Sequence, residues 1–302
     1  MEHDQRTSFG RIQMKHASGR LRLARWGVFC VTALFLAASA TIATAADPIK
    51  VAIYDHSDGS ARGPKNLRKV LSDTEHFECI KVTPEEIRNG ALDKVDVLIM
   101  PGGSGSGQAK KLEESGRERI REFVRNGGGY IGICAGSYLA SSCYDWSLNL
   151  INAEVIDRAH WARGTGQVIL SLSPEGQKLL GNSEPEVEVY YGQGPLLGPN
   201  NTEGLPPYES LAKYKTEIAK KGAPSGVMPG TDAIARAPYG KGRVFCFSPH
   251  CEVSEGPNFM VVNAVLWVSK NEDRNVPSAK EPKTATTKKE APAATVRAGG
   301  QE

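Results

Sequence analysis

Between Asn126 and Ala140 the chain runs through three glycines, an apolar stretch Tyr130-Ile131-Gly132-Ile133, a cysteine, and then Ala135-Gly136-Ser137-Tyr138-Leu139-Ala140. The order is strand, Gly-x-Cys-x-Gly turn, helix. Such a corner forces the side chain at its apex outward, and the serine form of it is a nucleophile elbow. Gly132 and Gly136 let the backbone close on either side of Cys134. A thiol at the start of a helix also faces unpaired N–H groups that favour its anion. This turn restricts the fold to one in which a buried strand feeds directly into a helix, and it makes Cys134 the candidate chemical centre.

The flanking pattern agrees. Apolar strands are expected at 49–54, 77–82, 95–100 and 130–133, with helices over 63–74, from Pro84, over about 109–126 and after Cys134. Runs such as Val95-Asp96-Val97-Leu98-Ile99-Met100 are nearly continuous, as in strands covered on both faces. Alternation of strand and helix at this spacing predicts an α/β fold, a parallel sheet sandwiched by helices. Residues 145–200 carry shorter strands at 153–156, 166–172 and 187–191, read as excursions on the rim or a small antiparallel layer. Further strands are expected at 208–214 and 242–248, with a final helix over about 258–269. A parallel sheet gathers its loops at the carboxyl ends of its strands. Gly102–Gly103, Cys134 and Pro249-His250-Cys251-Glu252 can therefore converge.

The ends differ from the middle. Residues 1–25 hold six Lys or Arg against two acids, and an apolar stretch from Trp26 to Ala46 ends in Ala43-Thr44-Ala45. This is the form of an export signal, assigned to 1–46, with cleavage after Ala45 or Ala46 and Met14 as an alternative start. An uncleaved anchor is the competing reading, since about 20 apolar residues can span a bilayer. Removing residues 1–45 takes the formal charge from +3 to −1, so the basic balance belongs to the leader and argues against nucleic-acid binding. The expected mature domain is 47–271, exported to the periplasm or beyond the cytoplasmic membrane and not inserted in it. Residues 272–302, rich in Lys, Ala, Pro and Thr, read as a disordered tail.

Cys79, Cys134, Cys143, Cys246 and Cys251 follow the leader, an odd number that leaves at least one thiol outside any internal disulfide. No spacing suits zinc, and Pro101-Gly102-Gly103-Ser104-Gly105 lacks the ending of a phosphate loop, so no metal or cofactor is expected. Cys246 reads as a buried strand residue, and a Cys134–Cys251 disulfide is one pairing the sequence allows. For catalysis Cys134 needs a base and an oxyanion hole. His250 is the candidate base and Glu252 its orienting acid. The N–H groups of Ala135 and of Gly102 or Gly103 are the candidate oxyanion donors. His56, Tyr138, His160, Tyr191 and Gln193 are candidate substrate contacts, although Tyr190-Tyr191-Gly192-Gln193-Gly194-Pro195 reads equally as a turn packed on tyrosine. Trp146 and Trp161 suit either core or pocket.

The Pro101-Gly102-Gly103 turn, the segment 128–138 around Cys134, Tyr191-Gly192-Gln193-Gly194-Pro195, and the segment 240–252 ending in His250-Cys251-Glu252 together resemble the class I glutamine amidotransferase superfamily. The branch they resemble most is the biotin-protein ligase N-terminal-like domain, over about residues 49–270. The resemblance implies a flavodoxin-like fold and a triad of Cys134, His250 and Glu252, in which the cysteine attacks an amide. Cys251 stands where the pattern usually has proline. The expected activity is that of an exported cysteine hydrolase or amidase acting on a small amide or peptide-like substrate through an acyl-enzyme. A non-catalytic binding module keeping the same turn, and a redox-sensing cysteine protein, are the alternatives.

Overall fold

Strands buried on both faces come from the apolar runs, and their order along the chain sets the architecture. The computed structural model describes residues 46–280 apart from residues 58, 73 and 74. All but the last residue of the export signal expected at 1–46, and the part of the expected tail from 281 onward, lie outside the described residues. The first half alternates β1 (Ile49–Tyr54), α1 (Arg62–Ser72), β2 (Phe77–Val82), α2 (Pro84–Arg88), β3 (Val97–Met100), α3 (Gly105–Arg125), β4 (Gly129–Ile133) and α4 (Ala135–Ala140). The second half holds β5 (Ala153–Ile156), β6 (Gly166–Leu172), α5 (Pro174–Leu180), β7 (Glu186–Tyr191) and β8 (Leu196–Pro199). It closes with β9 (Glu209–Tyr214), β10 (Asp232–Tyr239), β11 (Gly242–Phe247) and α6 (Asn258–Val268).

The helix starts follow local chemistry. Thr83 and Glu86 form a reciprocal capping box at α2, with Pro84 in the first turn. The Ser104 side chain accepts from Gly107 N at the start of α3, and Ser173 accepts from Gly176 N at α5. The α3 segment breaks at Glu113, whose φ of 58° lies outside helical geometry.

The sheet corrects one expectation. Its order is β2-β1-β3-β4-β11-β10-β9-β6-β7, with β5 and β8 paired beside β10. Pairing is parallel from β2 to β11 and antiparallel from β11 to β7, so the sheet is mixed. The physical reason is connection length. Gly240 and Lys241 alone join Tyr239 to its partner Gly242, and a two-residue link makes only a hairpin. The segments read as rim excursions or a small antiparallel layer divide: β6 and β7 pair antiparallel and extend the central sheet, while β5 and β8 form a side pair. β10 is absent from the sequence reading.

Two cores lie on opposite faces. One packs Leu67 and Leu71 of α1, Leu180 of α5 and the Val261, Val262, Val265 side of α6 against Ile131, Ile133, Phe245 and Phe247. The other packs Ile87, Leu112, Ile120, Val124 and Leu139 from α2, α3 and α4 against Leu98, Tyr130 and Val244. Residues 272–280, assigned by composition to the tail, continue the domain: Val276 is buried, and Asn263 Nδ2 donates to Ala279 O at 2.7 Å.

Phe245 is fully buried on β11, with ring centroids 4.8 Å from Phe247 and 5.9 Å from Trp267. Replacing it by alanine is expected to cost about 3–5 kcal/mol of stability. Urea denaturation followed by circular dichroism checks this, with the exposed Trp161→Ala as a near-neutral control.

Candidate active site

The register of three neighbouring strands builds the site. Met100 of β3 lies beside Gly132 of β4, and Ile133 of β4 beside Phe247 of β11. The residues just past each strand end are Pro101-Gly102-Gly103, Cys134 and Ser248-Pro249-His250, and parallel pairing brings them to one rim.

Cys134 has φ 50° and ψ −101°, a conformation costing roughly 1–3 kcal/mol for a residue with a side chain. Its surroundings hold it there. Cys134 N donates to Phe247 O at 2.8 Å, and Cys134 O accepts from Ser137 N at 3.0 Å and Tyr138 N at 3.1 Å. The Ser137 hydroxyl lies 2.9 Å from Gly132 O and 2.8 Å from Phe247 O, and Tyr130 donates its hydroxyl proton to Gly136 O at 2.8 Å. Gly136 is pressed against β3 so closely that a Cβ there would sit 2.1 Å from Met100 O. Any larger residue would push α4 off the strand end and move the thiol with it.

His250 enters from β11. Its N–H donates to Tyr190 O at 2.9 Å, which fastens the end of β7 to the residue. Added Cβ atoms at Gly102 and Gly192 would lie 2.7 Å from His250 Cε1 and 2.5 Å from Nε2, so two backbones pack on the imidazole. Nδ1 lies 2.8 Å from Oε1 of the buried Glu252, and the Cys134 side chain and the imidazole both pack against Gly102. With Nδ1–H given to the carboxylate, Nε2 is the nitrogen left to serve the thiol. Cys134 Sγ also lies 3.6 Å from Gly192 O. Burial would pull the imidazole pKa down. The hydrogen bond to Glu252 and the nearby Cys134 and Glu252 side chains outweigh it and raise it to about 10.

Beside Cys134 opens a cavity of about 310 Å³. Gly103, the first turn of α3, Tyr138, Gly192 and Gln193 line it, as do Tyr144, Trp146, Arg158 and Trp161. Tyr138 donates its hydroxyl proton to Gln193 O at 3.3 Å, so these two expected contacts meet at the thiol.

Three expected substrate contacts are elsewhere. Tyr191 is fully buried, donates its hydroxyl to Gly194 O at 2.9 Å and packs edge-on against Tyr214, as a turn packed on tyrosine does. His160 Nδ1 lies 2.6 Å from Asp157 Oδ1 and holds that loop rather than lining the cavity. His56 is exposed past β1 with its ring 5.4 Å from Tyr54, away from the cavity wall. Cys134 and Cys251 are free thiols, with Cys251 fully buried, and burial pushes the Cys246 thiol up to about 12. Among the described residues no group of His, Cys, Asp and Glu is placed to hold a metal. Tyr144 and Arg158 escaped the sequence reading. The one available signal was the density of aromatic and basic residues in Tyr144-Asp145-Trp146 and Arg158-Ala159-His160-Trp161.

Residues 49–162 match the family model described as "Biotin-protein ligase, N terminal". The matched segment includes Gly102, Gly103, Cys134 and the cavity residues through Trp161; His250 and Glu252 lie beyond it. A stretch of 52 residues is 38% identical to the biotin–protein ligase of Schizosaccharomyces pombe, covering 17% of this chain and 8% of that protein. Among solved structures, a putative ThuA-like protein from Bacteroides uniformis superposes with a TM-score of 0.51 at 15% identity, over 78% of this chain and 98% of that one. A second from Parabacteroides merdae gives 0.51 at 13% identity, over 78% and 96%. At these identities the two structures share the fold alone.

The raised pKa of His250 has a direction in pH. A group whose pKa rises on folding contributes stability that is complete below its unfolded value near 6.5. That contribution is lost as pH climbs toward about 10. Urea unfolding between pH 6 and 10 is expected to show declining stability over that window, and Glu252→Gln is expected to flatten the decline. His250 ring resonances in NMR are expected to titrate at lower pH in the same variant.

Proposed function

We propose that the protein is a cysteine hydrolase with an amidotransferase-like, flavodoxin-related fold, acting on a small amide through an acyl-enzyme. The observation that carries this reading is the placement of Cys134 on the wall of a cavity, beside an imidazole, that of His250, whose Nδ1 is hydrogen-bonded to the buried Glu252. It supplies a nucleophile, a base and an orienting acid in the roles that acyl transfer needs.

In the proposed reaction the Cys134 sulfur, its proton passed to His250, attacks the amide carbonyl carbon. The N–H groups of Ala135 and of Gly102 or Gly103 stand as donors to the developing oxyanion. The C–N bond breaks, the amine leaves with the proton from His250, and a thioester remains. Water then gives a proton to His250 and its oxygen to the acyl carbon. The acid departs and the thiol is restored, with no change of oxidation state. Glu252 keeps the imidazole oriented and balances its charge throughout.

The leader at 1–46 places this activity outside the cytoplasm in our reading. Support for it comes from the basic start, the apolar stretch and the Ala-Thr-Ala exit. A binding module without catalysis draws on one observation, that Cys134 is only 5% exposed. In that case the thiol would resist small alkylating agents.

Iodoacetamide labelling of Cys134 across pH, read by peptide mass spectrometry, separates the two. His250→Ala is expected to slow labelling at neutral pH by about tenfold or more. In a screen of anilide, ester and thioester substrates, Cys134→Ala is expected to abolish turnover and Glu252→Gln to lower kcat by about 10²–10⁴. Labelling indifferent to His250 would refute the hydrolase.

A further inference from the structure

The cavity beside Cys134 has a composition that the proposed chemistry does not require. Tyr144 and Trp146 stack with centroids 4.5 Å apart and planes 14° from parallel, and the Tyr138 ring lies 6.5 Å from that of Tyr144, tilted by 50°. The first residue of α3 closes this wall: a Cβ on Gly105 would lie 3.1 Å from both Trp146 and Tyr138. Trp161, at the mouth, is 56% exposed, the one large hydrophobic side chain so exposed among the described residues. An apolar ring left in water at the lip of an aromatic slot is an incomplete packing layer, and a flat ligand would complete it.

Arg158 is the single charged residue lining the cavity. Its guanidinium lies 5.1 Å over the Tyr144 ring, and Nη1 donates to Cys143 O at 2.9 Å. These contacts fix the group and leave the Nε and Nη2 edge, a planar pair of donors matched to a carboxylate. The adjacent Asp157 does not cancel this charge, because its oxygens are engaged by His160 and by the buried Arg163. Burial pushes the Tyr144 phenol up to about 12 and raises that of Tyr138 further, so both are neutral hydroxyls at ordinary pH.

We propose that this cavity selects a flat-ringed amide bearing a carboxylate, with Arg158 gripping the carboxylate and the ring lying along Tyr144 and Trp146 beneath Trp161. As a substrate class the proposal rests on the hydrolase reading; as a binding site it is measurable without it.

The test uses the full chain carrying Cys134→Ala, so that nothing is turned over, and two probes of equal shape. Hippurate joins a phenyl ring, an amide and a carboxylate; hippuramide replaces the carboxylate by a neutral amide. Calorimetry is expected to show saturable hippurate binding and at least about tenfold weaker hippuramide binding. Arg158→Gln is expected to erase that preference, and Trp146→Leu to weaken both probes alike. Arg158 is exposed, so its replacement is expected to leave the fold intact, and circular dichroism of the variant checks this. No saturable hippurate binding in the millimolar range, or a preference that survives Arg158→Gln, overturns the proposal. A Cys134 inert to iodoacetamide together with hippurate selectivity keeps the anion site and removes the hydrolase. A reactive Cys134 without that selectivity does the reverse.

Discussion

Parallel pairing of β4 with β3 on one side and β11 on the other is the constraint on which the site depends. Each pairing sets a register, and the two together fix three strand ends to one rim. Cys134 N donates to the last carbonyl of β11, so the hydrogen-bond ladder runs on into the turn that presents the thiol. Sliding β11 by one residue would turn Phe245 and Phe247 out of their core and carry His250 away from Cys134 in the same movement. Stability and site geometry therefore rest on the same contacts.

The turn itself shows how strain is held in place. A left-handed φ at Cys134 persists because Ser137, Tyr130 and the carbonyl of Phe247 saturate the surrounding backbone. Most of these partners are buried, so a relaxed corner would orphan several polar groups at about 1–3 kcal/mol each. That exceeds the strain of one residue. The rim can thus keep the thiol on the cavity wall in a conformation that an isolated turn would relax.

What the sequence made legible follows from burial. β1, β3, β4 and β11 are covered on both faces, and such strands leave continuous apolar runs that can be read directly. The Gly-x-Cys-x-Gly corner was readable because Gly132 and Gly136 are demanded by backbone approach, not by taste. β10 was not readable: Asp232-Ala233-Ile234-Ala235-Arg236-Ala237-Pro238 is rich in alanine and carries a proline, both poor strand signals. Its place comes from the Gly240–Lys241 hairpin and from β9. The start of α3 was placed too late because Gly105-Ser106-Gly107 has little helix propensity, and the Ser104 cap supplies what those residues lack. His160 and Tyr191 have the residue types of a site but satisfy partners inside the fold, Asp157 and Gly194. The cavity wall was hidden for another reason. Tyr144, Trp146 and Trp161 sit in irregular segments and Arg158 in a single 3-10 turn, where no periodicity tells which way a side chain points.

The two halves of the sheet contribute differently to the rim. The parallel half supplies Gly102, Gly103, Cys134 and His250. The antiparallel half supplies the backbone of Tyr190 and Gly192, which grips His250 through a hydrogen bond and close packing. Four residues of the cavity wall belong to neither, for Tyr144, Trp146, Arg158 and Trp161 lie in the excursion between α4 and β6. That excursion is tied down by its own bonds: Ser147 to Tyr144, Arg158 to Cys143, and Asp157 to both His160 and Arg163. None of those bonds reaches Cys134, His250 or Glu252. A larger residue at Gly136 or Gly192 would instead displace the thiol or the imidazole directly, so in this fold the geometry around Cys134 is set by the strand ends and not by the segment that supplies Tyr144, Trp146, Arg158 and Trp161.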